Sequence, residues 1–120
     1  MLRKGRAEDV APFVERSILQ AVEEQAGFVH FELKQHYLII RLQRVSRMKM
    51  IWRGSRGEGL ELLVYLKTVS GMDPLAQGVV QAGEFPLVCR GQWVVLLPSV
   101  CKPYLGSEKV VLSLPLLVCG

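Results

Sequence analysis

Between residues 10 and 22, apolar side chains recur as Val10, Phe13, Val14, Ile18, Ala21 and Val22, while Glu15, Arg16, Gln20, Glu23 and Glu24 fall mostly elsewhere. An i, i+3, i+4 recurrence marks one buried helix face, so the pattern predicts an amphipathic helix over residues 10–26. Asp9 is suited to cap that helix, Pro12 to lie in its first turn, and Gly27 to end it in the left-handed conformation.

After Gly27 the period shortens to two. Phe28, His30 and Glu32 alternate with Val29, Phe31 and Leu33, and a run rich in β-branched and aromatic residues spans 37–43, which predicts two strands. A third strand over 48–53 would place Leu38, Ile40, Leu42, Met48, Met50 and Trp52 on an inner face. Arg41, Gln43, Arg47, Lys49 and Arg53 would then share the outer face. A helix over 37–53 is the competing reading, since Leu38, Leu42, Val45 and Trp52 also share one helical stripe. It scatters the basic residues around the cylinder and leaves Ile39 and Ile40 without a side.

Further along, GSRGEG at 54–59 reads as a flexible connection. LELLVYLKTV at 60–69 reads as a strand or short helix, with Val64, Tyr65 and Val69 favouring strand. SGMDP is a turn, and a small helix near 75–80 is expected after it. Residues 85–89 and 93–97 flank Arg90-Gly91-Gln92 as a hairpin that Pro98 stops, and 110–118 form a last strand that Pro115 confines to an edge or bends. One helix followed by six or seven strands predicts an α+β protein, with an N-terminal amphipathic helix and a mainly antiparallel sheet. Curling of that sheet into a barrel-like form is the finer expectation.

Composition adds scale. A chain of 120 residues, half of them hydrophobic and 22% charged, is long enough to bury roughly two-thirds of its unfolded surface as one domain. A single domain over 1–120 is therefore expected, with 1–7 as a flexible basic arm. The three cysteines, Cys89, Cys101 and Cys119, are odd in number and widely spaced, which favours reduced thiols, with Cys89 and Cys119 buried, over a disulfide framework. Glu8 and Asp9 interrupt any apolar stretch behind the first basic residues, and Pro115 breaks an apolar run about half as long as a spanning helix needs. A cytoplasmic protein with no membrane association is the resulting expectation.

Charge changes the picture more. The net charge is +4, yet residues 34–56 alone carry seven basic side chains and no acidic one. Ordinary wet sheet faces intersperse acids, so this segregation suggests a patch for a polyanion, most simply a nucleic-acid backbone. Same-face residues on a strand stand about 6.5–7 Å apart, close to backbone phosphate spacing. The candidate contacts are Arg41, Arg44, Arg47, Lys49, Arg53 and Arg56, assisted by Arg3, Lys4 and Arg6. Such binding would be led by the backbone and weakly sequence-specific. Trp52 is expected inside the fold and does not supply a stacking platform. Gly54-Ser55-Arg56-Gly57 has the G-x-x-G form of a nucleotide-clamping loop, but those loops join helices where strands are expected here.

Catalytic and metal chemistry find little material. His30 and His36 flank Glu32, a weak acid–base grouping, and neither paired metal-ligand spacing nor a nucleophile motif occurs. A non-enzymatic protein without metal or cofactor is expected. A different reading rests on apolar excess: VVLLP, VVLSLPLLVC and LELLVYL exceed what a sheet with one wet face requires. Strands that apolar are covered on both faces or buried in a partner. A protein-interaction or assembly subunit, in a homo-oligomer or a larger complex, is thus the alternative function.

Overall fold

The computed structural model describes residues 7–89 and 91–115, with the backbone alone for 7–9. Helix α1 (Ala7–Glu23) precedes strands β1 (Phe28–Leu33), β2 (Tyr37–Arg44) and β3 (Arg47–Ser55). Helix α2 (Arg56–Val69) follows, then β4 (Gln81–Cys89), β5 (Trp93–Tyr104) and β6 (Ser107–Ser113). The strands form one antiparallel sheet in the order β3-β2-β1-β6-β5-β4. The α+β class with an N-terminal helix stands, but the barrel-like form does not. Closing the sheet would require β3 to pair with β4, and four strands separate these two edges.

Both helices lie on one side of the sheet. Phe13, Val14 and Ile18 of α1 and Leu62, Leu63 and Leu66 of α2 join the sheet's Phe31, Ile40, Leu87, Leu97, Val110 and Leu112 in a single buried cluster. The architecture is therefore two layers, and among the described residues the second face of the sheet carries no helix.

The chain leaves α1 through a Schellman motif. Ala26 donates its N–H to the Ala21 carbonyl at 2.9 Å and Gln25 donates to Val22 at 3.0 Å, an arrangement that satisfies helix-end carbonyls. The left-handed residue is Gln25, at φ 60°, and not Gly27. Gly27 instead donates to Gln43 and accepts from Leu114, fastening the helix exit to β2 and to the chain beyond β6. Because α1 begins at Ala7, Asp9 is not its cap and Pro12 lies beyond its first turn.

The second helix overturns the flexible 54–59 connection, and at 60–69 the helix prevails over the favoured strand. Ser55 Oγ accepts from the Glu58 N–H, and the Glu58 carboxylate accepts from the Ser55 N–H, both at 3.1 Å. This reciprocal capping box satisfies two donors that a helix start otherwise leaves unpaired. Ser55→Ala is expected to lower stability by about 1 kcal/mol. Urea unfolding reads the change, and an unaltered midpoint with an unaltered slope would contradict the cap's role.

Strand β5 runs past Pro98 to Tyr104, so that proline does not end it. Pro98 is paired with β4 alone and Pro103 with β6 alone, so each missing N–H falls where β5 has a neighbour on one side only. The small helix expected near 75–80 is absent. Gly78 adopts φ 70° there, and Asp73 holds the turn by accepting from the Leu75 N–H at 2.9 Å. Among the described residues, no helix is long and apolar enough to cross a membrane. Cys89 is disulfide-bonded, which corrects its reading as a thiol. Cys101 is a buried free thiol, pushed up to about 11 by burial and by the Glu108 carboxylate beside it.

Candidate docking face

A β-bulge decides where the basic hairpin points. Ile40 pairs with Trp52 but Arg41 pairs with Met50, leaving Ile51 as an extra residue on β3. An extra residue inverts the alternation beyond it. Trp52 stays on the helix side, where its ring meets Phe13 edge-on at 4.9 Å. Past the bulge, Met48 and Met50 turn to the uncovered face beside Gln43 and Arg41, and Lys49 turns to the helix side. Its Nζ meets the Glu24 carboxylate at 2.9 Å. The predicted inner set of Met48, Met50 and Trp52 is therefore split, and so is the predicted outer row of Arg47, Lys49 and Arg53.

The uncovered face can be followed across the strands by register. One row runs Arg53, Ile39, Glu32, Lys109, Lys102 from β3 to β5. The next runs Met50, Arg41, His30, Val111, Val100, Ala82 from edge to edge. Toward the β4–β5 turn the face becomes aliphatic, with Pro86 opposite Leu96 and Val88 opposite Val94. Val88, Val94 and Leu96 are 47, 56 and 53% exposed.

Glu32 organises the polar end of this face. Its side chain is fully buried although no helix covers it, because long cationic side chains close over it. Arg41 donates to Oε2 through Nη2 at 2.8 Å and Nε at 3.2 Å. Lys34 Nζ lies 3.5 Å from Oε1, which accepts no hydrogen bond among the described residues. Tyr104 presents its ring to both Lys34 and Lys109, with the ammonium groups 4.6 and 4.3 Å from the centroid, a favourable cation–π arrangement. Burial holds the Lys109 ammonium below the usual lysine range, against the pull of Glu32.

His30 completes the cluster as a neutral ring. Lys109 Nζ is 3.4 Å from Nδ1 and Gln43 Oε1 is 2.7 Å from Nε2. The ammonium can only donate, so Nδ1 accepts and Nε2–H donates to Gln43. Burial lowers the His30 pKa from its ordinary 6.5, opposed by the bond to Gln43. As pH falls below about 6.5, the unfolded chain therefore takes up a proton that the folded chain resists, and stability declines until the lower folded pKa is passed. His30→Gln is expected to flatten the stability slope between about pH 7 and 6, where ordinary carboxylates stay ionised. An identical slope in parent and variant would contradict this.

No known protein family matches this sequence, and no curated protein does either.

The predicted contact residues scatter. Arg41 and Arg53 lie on the uncovered face, Arg41 held by Glu32 and Arg53 stacked 4.0 Å over the Tyr37 ring. Arg44 and Arg47 sit opposite one another and exposed at the β2–β3 turn. Lys49 is on the helix side, and Arg56 opens α2 with its guanidinium donating to the Lys34 carbonyl. Arg3, Lys4 and Arg6 lie outside the described residues. Three cations outside the predicted contact set, Lys34, Lys102 and Lys109, join Arg41 and Arg53. Two of them reach the face only because β6 lies between β1 and β5, a non-local pairing that no local pattern announces. His30 and Glu32 are together, whereas His36 is exposed in the β1–β2 turn. Among the described residues, no three His, Cys, Asp or Glu side chains are grouped to hold a metal ion.

Proposed function

We propose that this chain is a non-catalytic interaction subunit that docks another protein on the uncovered face of its sheet. The observation that carries this reading is the β4–β5 end of that face, where adjacent, cross-paired aliphatic side chains are about half exposed. A contiguous apolar patch on a sheet face marks an interaction site more often than a solvated surface. The basic hairpin does not present the single row expected of a phosphate grip, since Lys49 turns to the helix side and pairs with Glu24, apart from Arg41 and Arg53.

A photo-crosslinking amino acid at position 96 tests it, with position 64 on the exposed side of α2 as control. In cells that make the protein, position 96 is expected to capture a protein band that position 64 does not. Capture from both positions alike, or from neither, would contradict face docking.

A second reading, contact with a nucleic-acid backbone, is favoured by the cationic surplus around Glu32. It would use Arg41, Arg53, Lys34, Lys102 and Lys109, with Arg44, Arg47, Lys49, Arg56 and the Arg3, Lys4 and Arg6 arm as outlying contacts. Its signature is oligonucleotide binding that weakens steeply as salt rises.

A further inference from the structure

The uncovered face is polarised. Its end near residues 34–36 carries Lys34, Arg41, Arg53, Lys102 and Lys109, and its end near the β4–β5 turn carries Val88, Val94 and Leu96. Among the described residues, the carboxylates on this face are Glu32 and Glu84. Glu32 is fully buried beneath Arg41, so Glu84, exposed on β4, is the one that can face a partner.

That inventory constrains what can cover the face. In an isologous pair the same surface meets itself. Two copies would bring five cations each and one presentable carboxylate each, and uncompensated like charge at an interface costs several kcal/mol. A partner with carboxylates above the cationic end and apolar groups above the aliphatic end satisfies both halves. Size is adequate as well. Six strands spaced about 4.8 Å apart span about 24 Å, and strands of this length run about 20–30 Å. The face is then on the order of 600 Å², near the roughly 800 Å² per partner of a standard protein interface.

The edges point away from strand addition. Pro86, which cannot donate, sits midway along edge strand β4, and β3 carries both the Ile51 bulge and basic side chains. Proline, bulges and charges are the features that blunt sheet edges against pairing. Docking is left to the face.

We propose that the uncovered face receives an acidic, apolar-flanked surface of a different protein, with its carboxylates over Lys34, Arg53 and Lys102 and its apolar side chains over Val88, Val94 and Leu96. This rests on the face-docking reading above and adds the partner's chemistry to it.

The test selects phage-displayed random 16-residue peptides on the full chain. Enriched peptides are expected to combine Asp or Glu clusters with Leu, Ile, Phe or Trp. Their affinity should fall at least tenfold on Lys102→Glu, Arg53→Glu or Leu96→Asp and remain unchanged on Val64→Asp. All four positions are exposed, and thermal melting followed by circular dichroism checks that each variant folds. Face-dependent peptides that lack acidic residues would overturn the acidic partner while leaving face docking in place. A stable dimer by light scattering that Leu96→Asp dissociates would overturn it in favour of a second copy. Oligonucleotide binding lost on Lys102→Glu, with no face-dependent peptide, would overturn both this inference and the docking reading. A selection without any face-dependent peptide also overturns the inference.

Discussion

Replacing Lys67 with methionine is expected to destabilise the fold by about 3–5 kcal/mol, the cost of leaving one member of a buried ion pair alone. Lys67 lies in the last turn of α2 and is 1% exposed. Its ammonium donates to Glu108 Oε2 at 2.8 Å and to the Ala76 carbonyl at 3.2 Å, while Glu108 Oε1 accepts from the Cys101 thiol at 3.5 Å. One side chain thus ties α2, the 70–80 loop and β6 together beneath the sheet. Without it, the Glu108 carboxylate stays in the core with only a weak thiol donor. For a chain of this size the loss corresponds to a fall in melting temperature of roughly 10–25 °C. The double variant Lys67→Met, Glu108→Leu is expected to recover most of it, because an apolar pair of similar volume often replaces a buried ion pair without loss. Equal melting of single and double variants would contradict the pairing argument.

The second large effect has an unexpected sign. In an exposed helix interior, alanine is favoured over glycine by about 1 kcal/mol. At Gly59 the order should reverse, because a Cβ built there meets Leu38 Cβ at 2.5 Å and Leu33 Cδ1 at 3.0 Å. At Gly59 α2 lies against β1 and β2 with no room for a Cβ, so a side chain there must push the helix off the sheet or displace Leu38. Gly59→Ala is expected to cost about 1–3 kcal/mol, and Gly59→Val the upper end of that range or beyond. Gly57, two residues earlier, is exposed, and a Cβ there meets Ser55 Oγ at 3.9 Å. Gly57→Ala should therefore leave stability unchanged or raise it by up to about 1 kcal/mol. Denaturant unfolding of the two alanine variants checks the contrast, and a Gly59→Ala protein as stable as its parent would remove the close-approach argument.

These glycines also explain what could be read from the sequence. The α1 helix was legible because six apolar residues keep a 3.6-residue period without interruption. The first three strands were legible from a clear change to period two. Helix α2 was not, because Gly57 and Gly59 depress helical propensity in its first turn while Val64, Tyr65 and Val69 favour strands. Yet its start was written as Ser55-x-x-Glu58, and Leu62, Leu63 and Leu66 carry a helical spacing. The glycines serve packing against Leu38, a tertiary reason that outweighs local propensity.

The candidate face was legible only in part. Charge segregation in residues 34–56 identified Arg41 and Arg53, which do lie there. Counting alternation through β3 misplaced Met48, Lys49 and Met50, since one bulged residue inverts every side chain beyond it. Lys102 and Lys109 were out of reach, because their place beside Arg41 depends on β6 lying between β1 and β5. Of the apolar runs, VVLLP is split by the sheet, Leu97 filling the core while Val94 and Leu96 face away from it, and LELLVYL belongs to α2 and not to a strand.

The proposed docking puts protein, and not nucleic acid, on the uncovered face. Crosslinking from position 96 against position 64, run with and without nuclease, tests it most directly. The result expected is a protein adduct from position 96 alone that survives nuclease and disappears when Val94→Asp is added. Adducts that vanish with nuclease, or that form equally from position 64, would contradict it.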